Sequence, residues 1–232
     1  MEYTFLWYCL FGGVVSLDTE ACGQFNISQP LVACTMAGLI LGNVATGMIV
    51  GVLLQLPFSV ETPVGGSKIS MVNLSAYVAA GLAISAKGLF PDLGHASLVA
   101  ALTFGVLLSW AAVPLQYGLH QSNLLLLKKA DVAAAQGKSG HIALLNYLGA
   151  VNAFLFGVLF VVVFWWIGRW GSFFILENLT PVFDRALQFI KPVMLGAGAG
   201  MLLWHFARKS RVHFPVIGFL LSGGILFIKY IW

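Results

Sequence analysis

Residues 142–167 read IALLNYLGAVNAFLFGVLFVVVFWWI, a run without a single charged side chain that ends in aromatic residues just before Arg169. About 20 apolar residues suffice to cross a hydrocarbon core of about 30 Å, and Trp favours the rim of that core. This stretch therefore reads as a membrane-spanning helix. The rest of the chain agrees. Of 232 residues, 59% are hydrophobic and 9% are charged, with a mean hydropathy of +0.92. Soluble domains carry about 25% charge, so this chain has too little to cover a water-facing surface. The same scarcity excludes a disordered chain and a disulfide-built secreted scaffold.

Working outward, residues 96–119, 192–207 and 214–232 form further candidate spans, with 71–86 as a shorter one. Residues 30–60 are uncharged too, but Gly38, Gly42, Gly47 and Gly51 punctuate them. They read as two short or broken segments, near 30–41 and 44–58. Residues 3–15 are apolar but short for a crossing. A signal peptide would want a basic residue before the run and a small-residue cleavage site after it, so a tilted or partial membrane segment is the expectation. The fold class is all-α: a polytopic integral membrane protein of about six to eight segments, with broken or re-entrant helices in the N-terminal third. Residues 1–232 form one membrane domain.

The charges orient it. The main polar connection, 121–141, holds Lys128, Lys129 and Lys138 against Asp131, and a second basic cluster runs Arg208-Lys209-Ser210-Arg211. Basic loops stay in the cytoplasm, and two candidate crossings separate the clusters, so both are expected there. Residues 169–191 and 87–95 are then expected outside, and 61–70 at the inner side or within the membrane. The net charge of +4 is explained by this topology and by attraction to anionic lipid, with no nucleic-acid partner implied.

Motifs of soluble enzymes are missing. Gly137-Lys138-Ser139 resembles the end of a phosphate-binding loop, yet Val132 stands where that motif's first glycine belongs. Cys9, Cys22 and Cys34 lack metal-ligand spacing and read as small buried hydrophobes. His95, His120, His141, His205 and His213 each fall near a span end, as interfacial histidines do. Neither catalytic residue, metal nor cofactor is expected. The informative segment is 55–73. Gln55, Glu61, Thr62 and Lys68 surround the turn-forming Pro63-Val64-Gly65-Gly66 within an apolar region. Ionisable groups at membrane depth are costly and mark sites or pathways. Irregular backbone survives there only when buried in protein or lining an aqueous cavity. An ordinary aqueous loop is the alternative.

Several short motifs in the N-terminal third occur in order: Leu17-Asp18-Thr19; Ile27-Ser28-Gln29-Pro30-Leu31; Ala37-Gly38-Leu39-Ile40-Leu41-Gly42-Asn43; Thr46-Gly47-Met48-Ile49-Val50-Gly51; and Leu54-Gln55-Leu56. Over residues 14–70 they resemble the membrane component IIC of mannose-family sugar phosphotransferase systems, and 137–149 is a weaker echo. The resemblance implies a sugar-permease subunit in a bacterial inner membrane. It implies a second membrane subunit, IID, cytoplasmic IIA and IIB proteins that carry the phosphoryl group, and a multimeric assembly. Gln55 then becomes the leading candidate for a sugar contact, followed by Glu61 and by Asn73, with Thr62 and Lys68 beside them.

The chain departs from the family pattern. Gln29 replaces the usual Arg, Asn43 replaces the usual Asp, and Ser67-Lys68-Ile69-Ser70 runs where a Pro-Pro-Asp-like element is usual. Each change removes a charge or a rigid turn. The alternative function is accordingly a non-transporting IIC-like subunit with a docking or regulatory role.

Overall fold

The computed structural model describes residues 2–59 and 70–207. Glu61, Thr62, Lys68, the Pro63–Gly66 turn, the Arg208–Arg211 cluster and the span expected at 214–232 lie outside them. The described residues fold into helices: α1 (Glu2–Glu20), α2 (Pro30–Leu41), α3 (Val44–Phe58), α4 (Val72–Leu89), α5 (Gly94–Ala111), α6 (Val113–Ala135), α7 (Ser139–Glu177), α8 (Pro181–Ala186) and α9 (Ile190–Ala207). Among the described residues, four stretches are long and apolar enough to cross a membrane: Val72–Leu89, Pro91–Ala111, Ser139–Glu177 and Pro181–Trp204.

The two short segments expected in the N-terminal third are α2 and α3. With 12 and 15 residues they reach about 18 and 22 Å, short of a hydrocarbon core. Pro30 opens α2. Gly42, with φ +81°, closes it in the left-handed conformation, and its N–H is bonded back to Gly38 O. Asn43 then caps α3, its side-chain oxygen accepting Thr46 N–H at 3.1 Å. An Asp would serve this cap equally well, so the missing charge at Asn43 leaves the turn intact. The hairpin closes on glycine. A Cβ on Gly47 would fall on the carbonyl oxygen of Cys34, and one on Gly51 would lie 2.7 Å from Pro30 O.

Helix α4 is the centre of the bundle, buried without interruption from Leu74 to Ile84 and packed against α1, α2, α3, α5 and α7. Its Ala, Gly and Ser side chains let neighbouring backbones approach closely. Tyr8 of α1 and Tyr77 of α4 are both fully buried, stacked with ring centroids 4.6 Å apart. Each donates its hydroxyl to the other's carbonyl, Tyr8 to Tyr77 O at 2.9 Å and Tyr77 to Tyr8 O at 2.7 Å. Tyr77→Phe leaves the stack and removes one of these bonds. The expected cost is about 1 kcal/mol, read as a small fall in thermal midpoint in detergent.

Helix α1 also lies along α7. Gly12 and Gly13 pack closely against Gly157, and Ser16 donates to Ala153 O at 2.8 Å. At 39 residues, α7 is about 58 Å long, so one end projects well beyond any bilayer, paired there with α6. Outward-facing Leu155, Leu159, Trp166 and Trp170 are exposed, as lipid-facing residues are.

Three expectations change. The span read at 96–119 is broken: α5 stops at Ala111, and α6 restarts at Val113 with Pro114 in its first turn. Proline lacks the N–H that a continuous helix needs and suits a helix start. The polar connection at 121–141 is helical except for residues 136–138, because Leu124–Leu127 and Ala133–Ala135 are strong helix formers despite the charges among them. Of the cysteines, Cys9 and Cys34 are buried as expected, but Cys22 is exposed in the turn after α1.

Candidate functional site

Five helix ends meet on one face of the bundle: the C-terminal ends of α1, α3 and α5, and the N-terminal ends of α2 and α4, with α6 alongside. Among them lies a cavity of about 760 Å³, a volume typical of small-molecule sites, which span roughly 300–1,000 Å³. Both Gln55 and Asn73 line it. They come from opposite sides of the undescribed 60–69 segment, so folding returns the chain to the same cavity before and after it.

Gln55, one turn from the end of α3, is tied to the start of α2. Its Oε1 accepts Leu31 N–H at 3.0 Å, and its Nε2 donates to Gln29 Oε1 at 2.9 Å. Leu31 N–H belongs to the first turn of α2, where no intrahelical acceptor exists, so the Gln55 amide also caps that helix. Gln29, the position where Arg is usual, remains within the site as a planar amide. Asn73, in the first turn of α4, donates to Thr19 Oγ1 of α1 at 3.4 Å. Each amide is half-buried, held by protein on one side and open to the cavity on the other.

The floor is acidic. Asp18 is 3% exposed, and its two oxygens accept the main-chain N–H groups of Phe25 at 2.6 Å and Ser28 at 2.8 Å. These bonds hold the turn between α1 and α2, in which Gly23, Gln24 and Asn26 all adopt positive φ. Left-handed backbone at a Gln is costly, and charge-assisted bonds from a carboxylate are strong enough to offset it. Asp18→Asn places an NH₂ against one of these donors. A loss of about 2 kcal/mol is expected, measured as a lowered thermal midpoint of the purified chain.

Two residues on, the Glu20 carboxylate takes Gln116 Nε2 at 2.7 Å and His120 Nε2 at 2.6 Å. These two side chains are one helical turn apart on α6, and both line the cavity. Asp18, Glu20, Gln29, Gln116 and His120 were not singled out as site residues from the sequence. The available signals were Asp18 and Glu20 closing an apolar run, since carboxylates beside a membrane segment are rarely idle, and the N-terminal motifs that contain Asp18 and Gln29. His120, expected to be merely interfacial, is a wall of the cavity. No group of three metal-ligating side chains occurs among the described residues.

Planar amides, carboxylates and a hydroxyl converging on a cavity can hold a polar solute through several donors and acceptors at once. The fold and site together define a multi-pass helical membrane protein with a polar-lined cavity at the ends of a short helical hairpin. A family model for the sorbose-specific IIC component of the phosphotransferase system matches residues 3–228, and the chain belongs to that family. It is 25% identical over 220 residues to the sorbose-specific EIIC component of Klebsiella pneumoniae, covering 94% of this chain and 78% of the relative. It is 26% identical over 153 residues to the mannose-specific EIIC component of Escherichia coli K12, covering 65% of this chain and 51% of that relative. The match thus spans about half of the mannose-specific protein. Among solved structures, one described as "Structure of membrane protein" superposes with a TM-score of 0.65 at 20% identity, covering 98% of this chain and 93% of its own. A cryo-EM structure of the mannose transporter ManYZ with microcin E492 gives 0.52 at 20% identity, covering 98% and 92%. At that identity the likeness is one of fold.

Proposed function

We propose that this chain is the sugar-permease subunit of a phosphoenolpyruvate-dependent phosphotransferase system. It binds a hexose or related sugar in the Gln55 cavity and passes it inward to a partner IIB protein for phosphorylation. The observation that carries this reading is the Gln55 amide, fixed between Leu31 N–H and Gln29 while lining a cavity it shares with Asn73. A pre-positioned amide presents a donor and an acceptor in one plane, the spacing that adjacent ring hydroxyls require. Glu61, Thr62 and Lys68, in the segment that joins α3 to α4, complete the proposed sugar site. The chain's role is binding and passage, with phosphoryl chemistry supplied by IIA and IIB and a second membrane wall by IID.

The protein is assigned to the bacterial inner membrane. The α6–α7 connection with exposed Lys128, Lys129 and Lys138 extends on the cavity side of the bundle, so the positive-inside rule turns the cavity toward the cytoplasm. The test uses right-side-out membrane vesicles containing this chain with IID, IIA and IIB, loaded with phosphoenolpyruvate and the soluble proteins that transfer its phosphoryl group to IIA. Phosphoenolpyruvate-dependent uptake of labelled mannose or sorbose into right-side-out vesicles is expected. Failure of the complete set to take up any hexose overturns the permease reading in favour of a non-transporting docking subunit.

A further inference from the structure

Arg169 stands where α7 leaves the uncharged run of residues 142–167. It is half-buried, and its guanidinium lies over two rings, 5.2 Å from the centre of Trp165 and 4.9 Å from that of Phe173. These contacts take up the face of the guanidinium plane. Its N–H groups point outward within that plane, and among the described residues neither a carboxylate nor another acceptor meets them. One turn earlier, Trp165 is buried and its Nε1–H has no acceptor among the described residues. A buried donor is nearly always paired, and a cation at the edge of a membrane segment needs a counter-charge. Both donors call for an acceptor from outside the chain.

The surface around them says what kind. At about 100° per residue, Trp165, Trp166, Arg169, Trp170 and Phe173 fall in one sector of α7 about 140° wide. Trp166 and Trp170 are exposed, and indoles favour the headgroup level of a bilayer. Toward the middle of the helix the same sector continues through Leu159 and Leu155, also exposed. A cation ringed by aromatic side chains thus caps an apolar track along the helix. An anionic group joined to a long hydrocarbon chain matches both parts. A zwitterionic headgroup would turn its own ammonium toward Arg169 as a like charge, whereas a headgroup of net negative charge brings no such repulsion.

We propose that Arg169 and the aromatic side chains around it bind an anionic phospholipid, its phosphate on the guanidinium edge and an acyl chain along Leu159 and Leu155 of α7. Guanidinium and phosphate pair through two parallel hydrogen bonds. None of these side chains lines the Gln55 cavity, and the site stands independently of the permease reading.

The test is native mass spectrometry of the full chain in detergent, titrated with dioleoyl phosphatidylglycerol or dioleoyl phosphatidylcholine. The first is expected to bind about tenfold more tightly, the worth of one charge-assisted hydrogen bond. Arg169→Gln should bring the two lipids to equal affinity while the thermal midpoint in phosphatidylcholine stays unchanged. Arg169→Lys, which keeps the charge and loses the fork, should retain part of the preference, and the double variant Lys128→Gln/Lys129→Gln all of it. Equal affinity for the two lipids in the unaltered chain overturns the site, as does a preference that survives Arg169→Gln or is lost with the double variant. Full competition by inorganic phosphate would make this an anion site without a lipid, and loss of the preference on adding IID would give the face to a protein. Both overturn the proposal. So does a preference that emerges only with Glu2→Gln, which would assign Arg169 to the start of α1, whose Phe5 ring lies 4.6 Å from that of Trp165.

Discussion

Gln55→Ala is expected to reduce sugar uptake about a hundredfold while leaving the amount of chain in the membrane unchanged. The substitution removes the amide that faces the cavity and strands its two partners, Leu31 N–H and the Gln29 side chain. Losing a ligand hydrogen bond and leaving the sugar hydroxyl it met unpaired in the complex together cost about 3 kcal/mol, or about two decades in affinity. Gln55→Glu separates binding from packing. A carboxylate still accepts Leu31 N–H, and Gln29 can turn its amide to donate to it, so the walls of the cavity hold. Uptake by Gln55→Glu should therefore exceed uptake by Gln55→Ala by at least about tenfold. Equal and full uptake by both variants removes Gln55 from the site.

The second large effect falls on the hairpin. Gly47→Ala is expected to cost about 3 kcal/mol and to deplete the chain from the membrane, because its methyl group lands on the Cys34 carbonyl and 3.0 Å from Gly38 Cα. These are backbone atoms on the facing helix, so relief requires the two helices to separate. Gly88→Ala is the matched control: a Cβ there meets nothing within 4 Å, and alanine favours the helix by up to about 1 kcal/mol. Abundance in the membrane and thermal midpoint should fall for the first and hold or rise for the second. Equal midpoints for the two variants would show that the α2–α3 contact does not set stability.

The hairpin was the most legible part of the chain because its signals are local. Pro30 starts a helix, Gly42-Asn43 ends one and caps the next, and both events lie within a few residues of sequence. Gln55, which lines the cavity, drew attention as a polar side chain in an apolar run and through its place in the family motif. The α6 helix was not legible. Hydropathy reports partition between water and lipid, whereas Lys128, Lys129 and Asp131 leave the helical preference of the surrounding Leu and Ala residues intact. The acidic floor was hidden by distance along the chain. Glu20 meets Gln116 and His120 across 96 and 100 positions, a pairing that no local spacing encodes. The contacts around α8 were hidden too: Asp184 accepts an N–H of α5, while the Arg169 guanidinium lies 5.2 Å from the ring centre of Trp165 and 4.9 Å from that of Phe173. Cation–π contact offered it a partner that charge counting overlooked.

The seam between α1 and α7 has a consequence for biosynthesis. Ser16 and its acceptor Ala153 are separated by 137 positions, and at translation rates of about 5–20 residues per second the ribosome needs roughly ten seconds to bridge them. Tyr77 arrives 69 positions after Tyr8, about halfway through that wait. Helix α1 thus leaves the ribosome long before its seam with α7 can be sealed, and in that interval its Gly12-Gly13 groove waits for a partner. The hairpin, whose partners are near neighbours, can close at once. The order of synthesis therefore makes the α2–α3 hairpin available first and the α1–α7 seam later, with α9 still to pack on α3 after that.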